Sequence, residues 1–139
     1  MDELIAFWTA RLDEAEAVAR EAADGDSGEW FVGDRWNVYR AEDTAPHDED
    51  HQGDEHQLVA YGNVKPQSDH IAANDPASVL ADIAADRAVL NLCARVIEDD
   101  EGHVRYSDGW AGLQVAERVA RLRAARFASH PQWQARWTT

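Results

Sequence analysis

The 139-residue sequence is poor in cysteine and lysine, with one of each, and it has no long apolar run. The single cysteine, Cys93, excludes an internal disulfide and is typical of a reducing compartment. No apolar stretch approaches the roughly 20 residues that cross a bilayer. Met1 is followed by Asp2 and Glu3, so the positively charged start of a secretory signal is missing. These absences predict a cytoplasmic protein with no membrane partner.

Basic residues are also scarce. The chain has 27 acidic and 13 basic residues, a formal net charge of −14. Because such a surface repels phosphates, we expect no broad nucleic-acid binding. The charge is uneven: residues 41–70 carry −7, whereas residues 110–139 carry +4 and include most of a predicted basic helix at about 109–128. Apolar residues make up 45% of the chain, which suits the core of a single domain at 1–139.

Three helices are predicted from apolar positions that recur at alternating steps of four and three residues. The first covers about residues 3–23, and the third covers about residues 108–128. The second, at about 76–98, has the clearest start, because Asp75 is a good N-cap and is followed by proline at the first helical position.

Strands are predicted in the first half of the chain. Residues 29–33 and 36–40 form a hairpin with its turn at 33–35, and a third strand covers about 57–64. The connecting segment at 41–56 is acidic, contains histidines and is predicted to be a loop. The predicted fold class is therefore α+β, with three helices packed on a small antiparallel sheet of two or three strands.

Two ionisable residues, Arg11 and Asp86, occupy apolar positions of the predicted helices. If the two helices face each other, a structural Arg11–Asp86 ion pair is expected, because burying either charge alone costs several kcal/mol. The alternative is that each side chain lies at the rim and reaches water. Arg123 and Arg126 of the third helix are rival partners for Asp86.

One group of histidines lies in the acidic loop and consists of His47, His51 and His56. Imidazoles together with carboxylates are the ligand set of zinc and other divalent cations. Only the first pair has helical spacing, and no helix is predicted there. A solvated loop without a cofactor is therefore the favoured interpretation, with a divalent metal such as zinc as the alternative.

A second group consists of His70, Asp75 and His130. Structural roles are favoured, because Asp75 is explained as an N-cap and His130 precedes a helix-ending proline. If His130 folded back onto the start of the second helix, the three residues would form the site of a metal-assisted hydrolase. The sequence has no phosphate-binding glycine loop, zinc-protease motif or nucleophile elbow. A protein without enzymatic activity is favoured.

The favoured function is binding of a basic protein partner through an acidic face, as an adaptor, a regulator or a mimic of the charge of DNA. The candidate binding residues are Asp48, Glu49, Asp50, Asp54, Glu55, Trp133 and Trp137. The last two stand one helical turn apart, which suits either a partner or self-association into a homo-oligomer. The remaining tryptophans, Trp36 among them, are assigned to the core or a lid.

Three sets of short stretches carry a resemblance to a known family: Met1–Phe7 with Ala10–Glu14, His70–Ala72 with Asp75–Ala77 and Val79–Leu80, and Ser129–Pro131 with Trp137. The chain resembles a family of small acidic uncharacterised proteins, a domain of unknown function, from actinobacteria and their phages. Family members typically carry histidine where this chain has Asn74 and lysine where it has Asp86. The resemblance implies a cytosolic protein of one domain and names no activity.

Overall fold

A computed structural model describes residues 1–41, 58–62, 64–101 and 107–138. The α-helices in these ranges are α1 (Asp2–Ala23), α2 (Lys65–Ala73), α3 (Pro76–Glu101) and α4 (Ser107–Ala124). The strands are β1 (Trp30–Val32), β2 (Val38–Arg40) and β3 (Leu58–Ala60). Single turns of 3-10 helix cover Ala125–Phe127 and Ala135–Trp137, and a turn with left-handed backbone at Arg35 and Trp36 covers Asp34–Trp36. The predicted α+β class is confirmed, and the predicted number of helices is wrong by one.

The helix missing from the prediction is α2. It has nine residues and begins after Val64 with no side-chain hydrogen bond at its N-terminus. Isolated helices of this length are marginal in water. The helix packs against β1 and β2, and its Ser68 is completely buried. Contacts with the sheet therefore stabilise α2, and these contacts leave no local signature in the sequence.

The three strands form an antiparallel sheet in the order β1-β2-β3. Trp30 pairs with Arg40 and Val32 pairs with Val38, so the first two strands form the predicted hairpin. The pairing of β2 with β3 is irregular, with a register shift between Val38 and Tyr39. The third predicted strand is therefore present, although it is shorter than the alternation of side chains suggested.

The chain divides into two compact units. The first contains residues 1–15 and 83–139, and the second contains residues 16–82. The buried apolar side chains of the first unit include Leu4, Phe7, Trp8, Leu12, Ile83, Leu90, Cys93, Ile97, Ala116, Ala120, Ala124 and Trp137. Those of the second include Ala19, Ala23 and Val38. The single domain expected from the sequence stays a prediction.

Cys93 is buried in the first unit, and burial raises the pKa of its thiol. The neutral thiol therefore behaves as a small apolar side chain, as its place among the apolar positions of α3 predicts. Within the described ranges, no helix combines the length and apolar character that a membrane span needs.

Candidate functional site

The formal charge of the chain is concentrated in the second unit. Residues 16–82 contain 16 acidic and 4 basic residues, a net charge of −12, whereas the other residues contain 11 acidic and 9 basic residues, a net charge of −2. Several of the acidic side chains are exposed, namely Glu21, Asp24, Asp26, Glu29, Asp69 and Asp82. The acidity noted at residues 41–70 thus belongs to a larger acidic unit.

Most basic side chains of the acidic unit are engaged within it. The pairs, at 2.6–3.5 Å, are Arg20 with Glu16, Arg40 with Asp24 and Asp26, and Lys65 with Asp69. Exposed pairs of this kind contribute at most about 1 kcal/mol each, and salt screens them. Because the unit contains only four basic residues and sixteen acidic ones, it keeps a large surplus of negative charge.

The turn between β1 and β2 adopts an unusual backbone conformation. Arg35 and Trp36 have φ angles of +54° and +64°, in the left-handed region that bulky residues rarely occupy. The N–H of Gly33 donates to the carbonyl of Asn37 at 2.9 Å and closes the turn. Consecutive left-handed residues outside glycine are strained, so neighbouring structure must hold them in place.

Two neighbours hold this turn. The hydroxyl of Ser68 in α2 donates to the main-chain carbonyl of Trp36, and the N–H of Gly62 donates to Oδ1 of Asn37 at 3.1 Å. Gly62 passes so close that a β-carbon there would collide with the Trp36 carbonyl and the Ser68 hydroxyl. Residue 62 must therefore lack a side chain for the turn to take this conformation.

The anchored turn and the segment between β3 and α2 both carry exposed apolar side chains. Trp36 is 44% exposed, Tyr61 is 79% exposed and Val64 is 47% exposed. We call Trp36, Tyr61 and Val64 the aromatic surface. The ammonium nitrogen of Lys65 lies 5.9 Å from the centre of the Trp36 ring. Trp36 was predicted to lie in the core or a lid, and the structure corrects this, because the side chain is partly exposed. Its position directly after a predicted turn was the sequence feature that indicated exposure.

Arg11 is a buried cation of the first unit. Its Nη2 lies 2.5 Å from Oε1 of Glu14, and its Nη1 lies 2.8 Å from Nδ1 of His130. The guanidinium carbon lies 5.3 Å from the centre of the Phe7 ring. Arg11 is thus held by its own helix and by the segment that follows α4, and these partners differ from the Asp86 expected from the sequence.

Asp86 is buried in the same unit, and its carboxylate faces α4 and the turn that follows it. Arg123 Nη1 lies 3.2 Å from Oδ1, and Arg126 pairs with Oδ2. These are the two rival partners recognised in the sequence. Both arginines are about half exposed, so the buried carboxylate is neutralised by cations that also reach solvent.

Asp75 caps α3 as predicted. Its Oδ1 accepts the N–H of Ser78 at 2.7 Å, and its Oδ2 accepts the N–H of Trp30 in β1 at 3.1 Å. Burial raises the pKa of this carboxyl group, but the hydrogen bonds from Ser78 and Trp30 favour the ionised form and outweigh burial. The net pKa of Asp75 therefore lies below its ordinary value of 3.8. The residue joins the helix start to the sheet.

The two histidines expected beside Asp75 have other neighbours. His70 is exposed on α2, where its Nδ1 lies 3.3 Å from the side-chain nitrogen of Asn74. His130 accepts the N–H of Gln132 at Nδ1, at 3.2 Å, in addition to its contact with Arg11. The catalytic set of His70, Asp75 and His130 stays a prediction.

In the part of the chain that the structure describes, no three or more His, Cys, Asp or Glu side chains are grouped so as to hold a metal ion. The remaining predicted site residues lie outside the described residues: His47, Asp48, Glu49, Asp50, His51, Asp54, Glu55 and His56.

Trp133 and Trp137 belong to an aromatic group in the first unit. The Trp137 ring lies 5.0 Å from the Phe7 ring and 5.4 Å from the Trp133 ring, measured between centroids. Trp137 is buried and Trp133 is half-buried. Most of the Trp137 ring therefore packs inside its own unit, and a role of the pair in partner binding stays a prediction.

The observations define the chain as an α+β protein with a strongly acidic unit and an exposed aromatic surface on that unit. The model of a family of unknown function, DUF6221, matches residues 1–139, and the chain belongs to this family. The predicted membership of a domain family of unknown function is thereby confirmed. Comparisons with curated proteins and with solved structures find no match.

Proposed function

We propose that the chain is a non-enzymatic binding protein, an adaptor or regulator, whose acidic unit binds a basic protein partner. The observation that carries this proposal is the net charge of −12 in residues 16–82 against −2 in the rest of the chain. A unit with such a field attracts cationic surfaces and speeds their encounter. An origin in actinobacteria or their phages and a cytoplasmic location are parts of the same proposal.

The acidic residues of the unit fall into two groups. Seven of the sixteen lie at 42–57, between β2 and β3 in the chain, and they include the five acidic residues predicted to contact a partner. Others are exposed on the described surface, such as Asp24 and Asp26 in the segment before β1. Both groups favour a partner rich in arginine or lysine and disfavour a phosphate-bearing ligand.

Two variants with the same net charge test the proposal. The first neutralises acidic residues of the acidic unit: D48N, E49Q, D50N, D54N and E55Q. The control neutralises acidic residues of the first unit: E98Q, D99N, D100N, E101Q and D108N. Each variant loses five carboxylates and has a net charge of −9. The probe is a lysine-free, end-blocked peptide of alternating arginine and alanine, and its affinity is measured by fluorescence anisotropy.

The first variant is expected to bind the peptide about tenfold more weakly than the wild type, which corresponds to about 0.3 kcal/mol for each carboxylate removed. The control is expected to stay within about twofold. Raising the salt concentration to about 0.3 M is expected to weaken binding of the wild type. Equal losses in both variants, or affinity that does not depend on salt, would reject the proposal.

A further inference from the structure

The two backbone segments that carry the aromatic surface lie next to each other. The carbonyl of Trp36 lies against Gly62, and Tyr61 and Val64 stand one residue before and two residues after Gly62 in the chain. Scattered exposed apolar residues are ordinary on protein surfaces, whereas adjacent ones mark interaction sites. The arrangement therefore favours a ligand whose binding is stabilised by contact with aromatic rings.

The backbone that carries Trp36 is fixed before any ligand arrives. Ser68 holds its carbonyl, Gly62 holds the neighbouring Asn37 side chain, and Ser68 is itself completely buried. A binding residue on a fixed backbone loses less conformational entropy when it engages a partner. Aromatic side chains add large contact area with few rotatable bonds, which is why they dominate binding hot spots.

The surroundings of Trp36 favour a cationic ligand. Lys65 already places its ammonium group 5.9 Å from the Trp36 ring centre, so the ring has a cation beside it within the unit. Tryptophan is the strongest aromatic partner for cations, and arginine is the side chain found most often on such rings. The rings would also stack on nucleic-acid bases, but the net charge of −12 around them repels the phosphates.

From these observations we infer that Trp36 and Tyr61 dock arginine side chains of the basic partner, with Val64 as the apolar contact beside them. The inference rests on the proposed function and specifies which residues of the acidic unit bind the partner. The carboxylates supply long-range attraction, and the rings supply short-range recognition of the guanidinium group. The ammonium group of Lys65, which lies over the Trp36 ring, is expected to be covered when the arginine side chains dock.

Substitutions that separate ring character from bulk test this docking site. W36L keeps apolar bulk and removes the aromatic face, whereas W36Y keeps a ring. W36L is expected to weaken the arginine–alanine peptide about two- to fivefold, and W36Y is expected to stay close to the wild type. L122S is the matched control, since Leu122 is an exposed apolar residue of the first unit and should leave affinity unchanged. Equal affinity of W36L and wild type would overturn the inference.

A footprint on the wild-type chain gives a test that does not depend on folding of a variant. Lys65 is the single lysine of the sequence, so an amine-reactive reagent reports on Lys65 and on the terminal amine, which serves as the internal reference. The arginine peptide is expected to protect Lys65, and the same peptide with neutral citrulline in place of arginine is expected to give no protection. Unchanged Lys65 reactivity at saturating arginine peptide would overturn the inference.

The two proposals fail in different ways. Loss of binding in the five-carboxylate variant, together with an unchanged W36L affinity and an unprotected Lys65, rejects the docking site and supports the proposed function. Equal losses in the two charge-matched variants reject the proposed function. Protection of Lys65 by a single-stranded oligonucleotide, in the absence of protection by the arginine peptide, would overturn the choice of a protein partner.

Discussion

The buried hydroxyl of Ser68 in α2 donates a hydrogen bond to the main-chain carbonyl of Trp36, 32 residues earlier in the chain. This bond ties α2 to the turn between β1 and β2. The left-handed conformation of Arg35 and Trp36 is therefore held by a distant element in addition to the turn's own hydrogen bonds. The position of the aromatic surface depends on α2 for the same reason.

Replacing Ser68 by alanine is expected to lower the free energy of unfolding by about 1–2 kcal/mol, because the Trp36 carbonyl loses its donor in a buried site. Urea unfolding followed by tryptophan fluorescence measures the change. S129A is the control, since Ser129 is exposed in the first unit, and a change below about 0.5 kcal/mol is expected. Similar losses in both variants would show that the hydrogen bond from Ser68 to Trp36 does not contribute specifically to the free energy of unfolding.

Alanine substitutions at two glycines are expected to have opposite signs. G62A places a β-carbon against the Trp36 carbonyl and should destabilise the protein by more than about 2 kcal/mol. G112A places it in open space on α4 and should stabilise the protein by about 0.5–1 kcal/mol, because alanine favours helix. Thermal and urea unfolding of both variants measure these changes. Unchanged stability of G62A would contradict the close approach of Gly62 to the Trp36 carbonyl.

The stability contributed by Asp75 is expected to depend on pH in the acidic range. Since its pKa in the folded protein is lowered below 3.8, ionised Asp75 adds stability that is complete well above that pH and is lost as the pH falls through the folded-state pKa. The deficit of D75N relative to wild type should therefore be largest near neutral pH and shrink towards about pH 2–3. Urea unfolding at a series of pH values measures it.

Asp75→Ala is the comparison for this prediction. It removes the capping oxygens as well as the charge, so about 1 kcal/mol of its deficit should persist in acid, where the charge no longer contributes. A D75N deficit that grows as the pH falls would contradict the lowered pKa of Asp75.

A double-mutant cycle is expected to separate Arg11 from Asp86. Because Arg11 contacts Glu14 and His130 while Asp86 is paired with Arg126, the effects of R11M and D86N on unfolding should add to within about 0.5 kcal/mol. The cycle of D86N with R126M should give a coupling energy of about 1 kcal/mol, moderated by the exposure of Arg126. The reverse order of the two couplings would favour the ion pair expected from the sequence.

The elements predicted correctly have signals within a few residues. The helix start at Asp75 needs only a carboxylate followed by proline, and the hairpin needs only alternating side chains around Gly33. The partners of Arg11 were not predictable in the same way. The helical pattern marks Arg11 and Asp86 as residues on apolar stripes, but the partner of each depends on which side chains the packed helices bring within reach.

Trp36 illustrates the same limit for the candidate site. Tryptophan is a large apolar residue, so burial of Trp36 was predicted. Its exposure follows from a turn conformation that Ser68 and Gly62, distant in the chain, hold in place. A helix of only nine residues, such as α2, gains its stability from contacts with the sheet, so local patterns in the sequence do not predict it.

The sequence by itself determined the negative charge, the positions of the long helices, the hairpin and the cap at Asp75, because charge is additive and these elements depend on neighbouring residues. The tertiary structure decided that residues 16–82 form one acidic unit, that α2 exists, that Asp86 pairs with Arg123 and Arg126, and that the Trp36 ring is exposed. Each of these depends on residues far apart in the chain that only packing brings together.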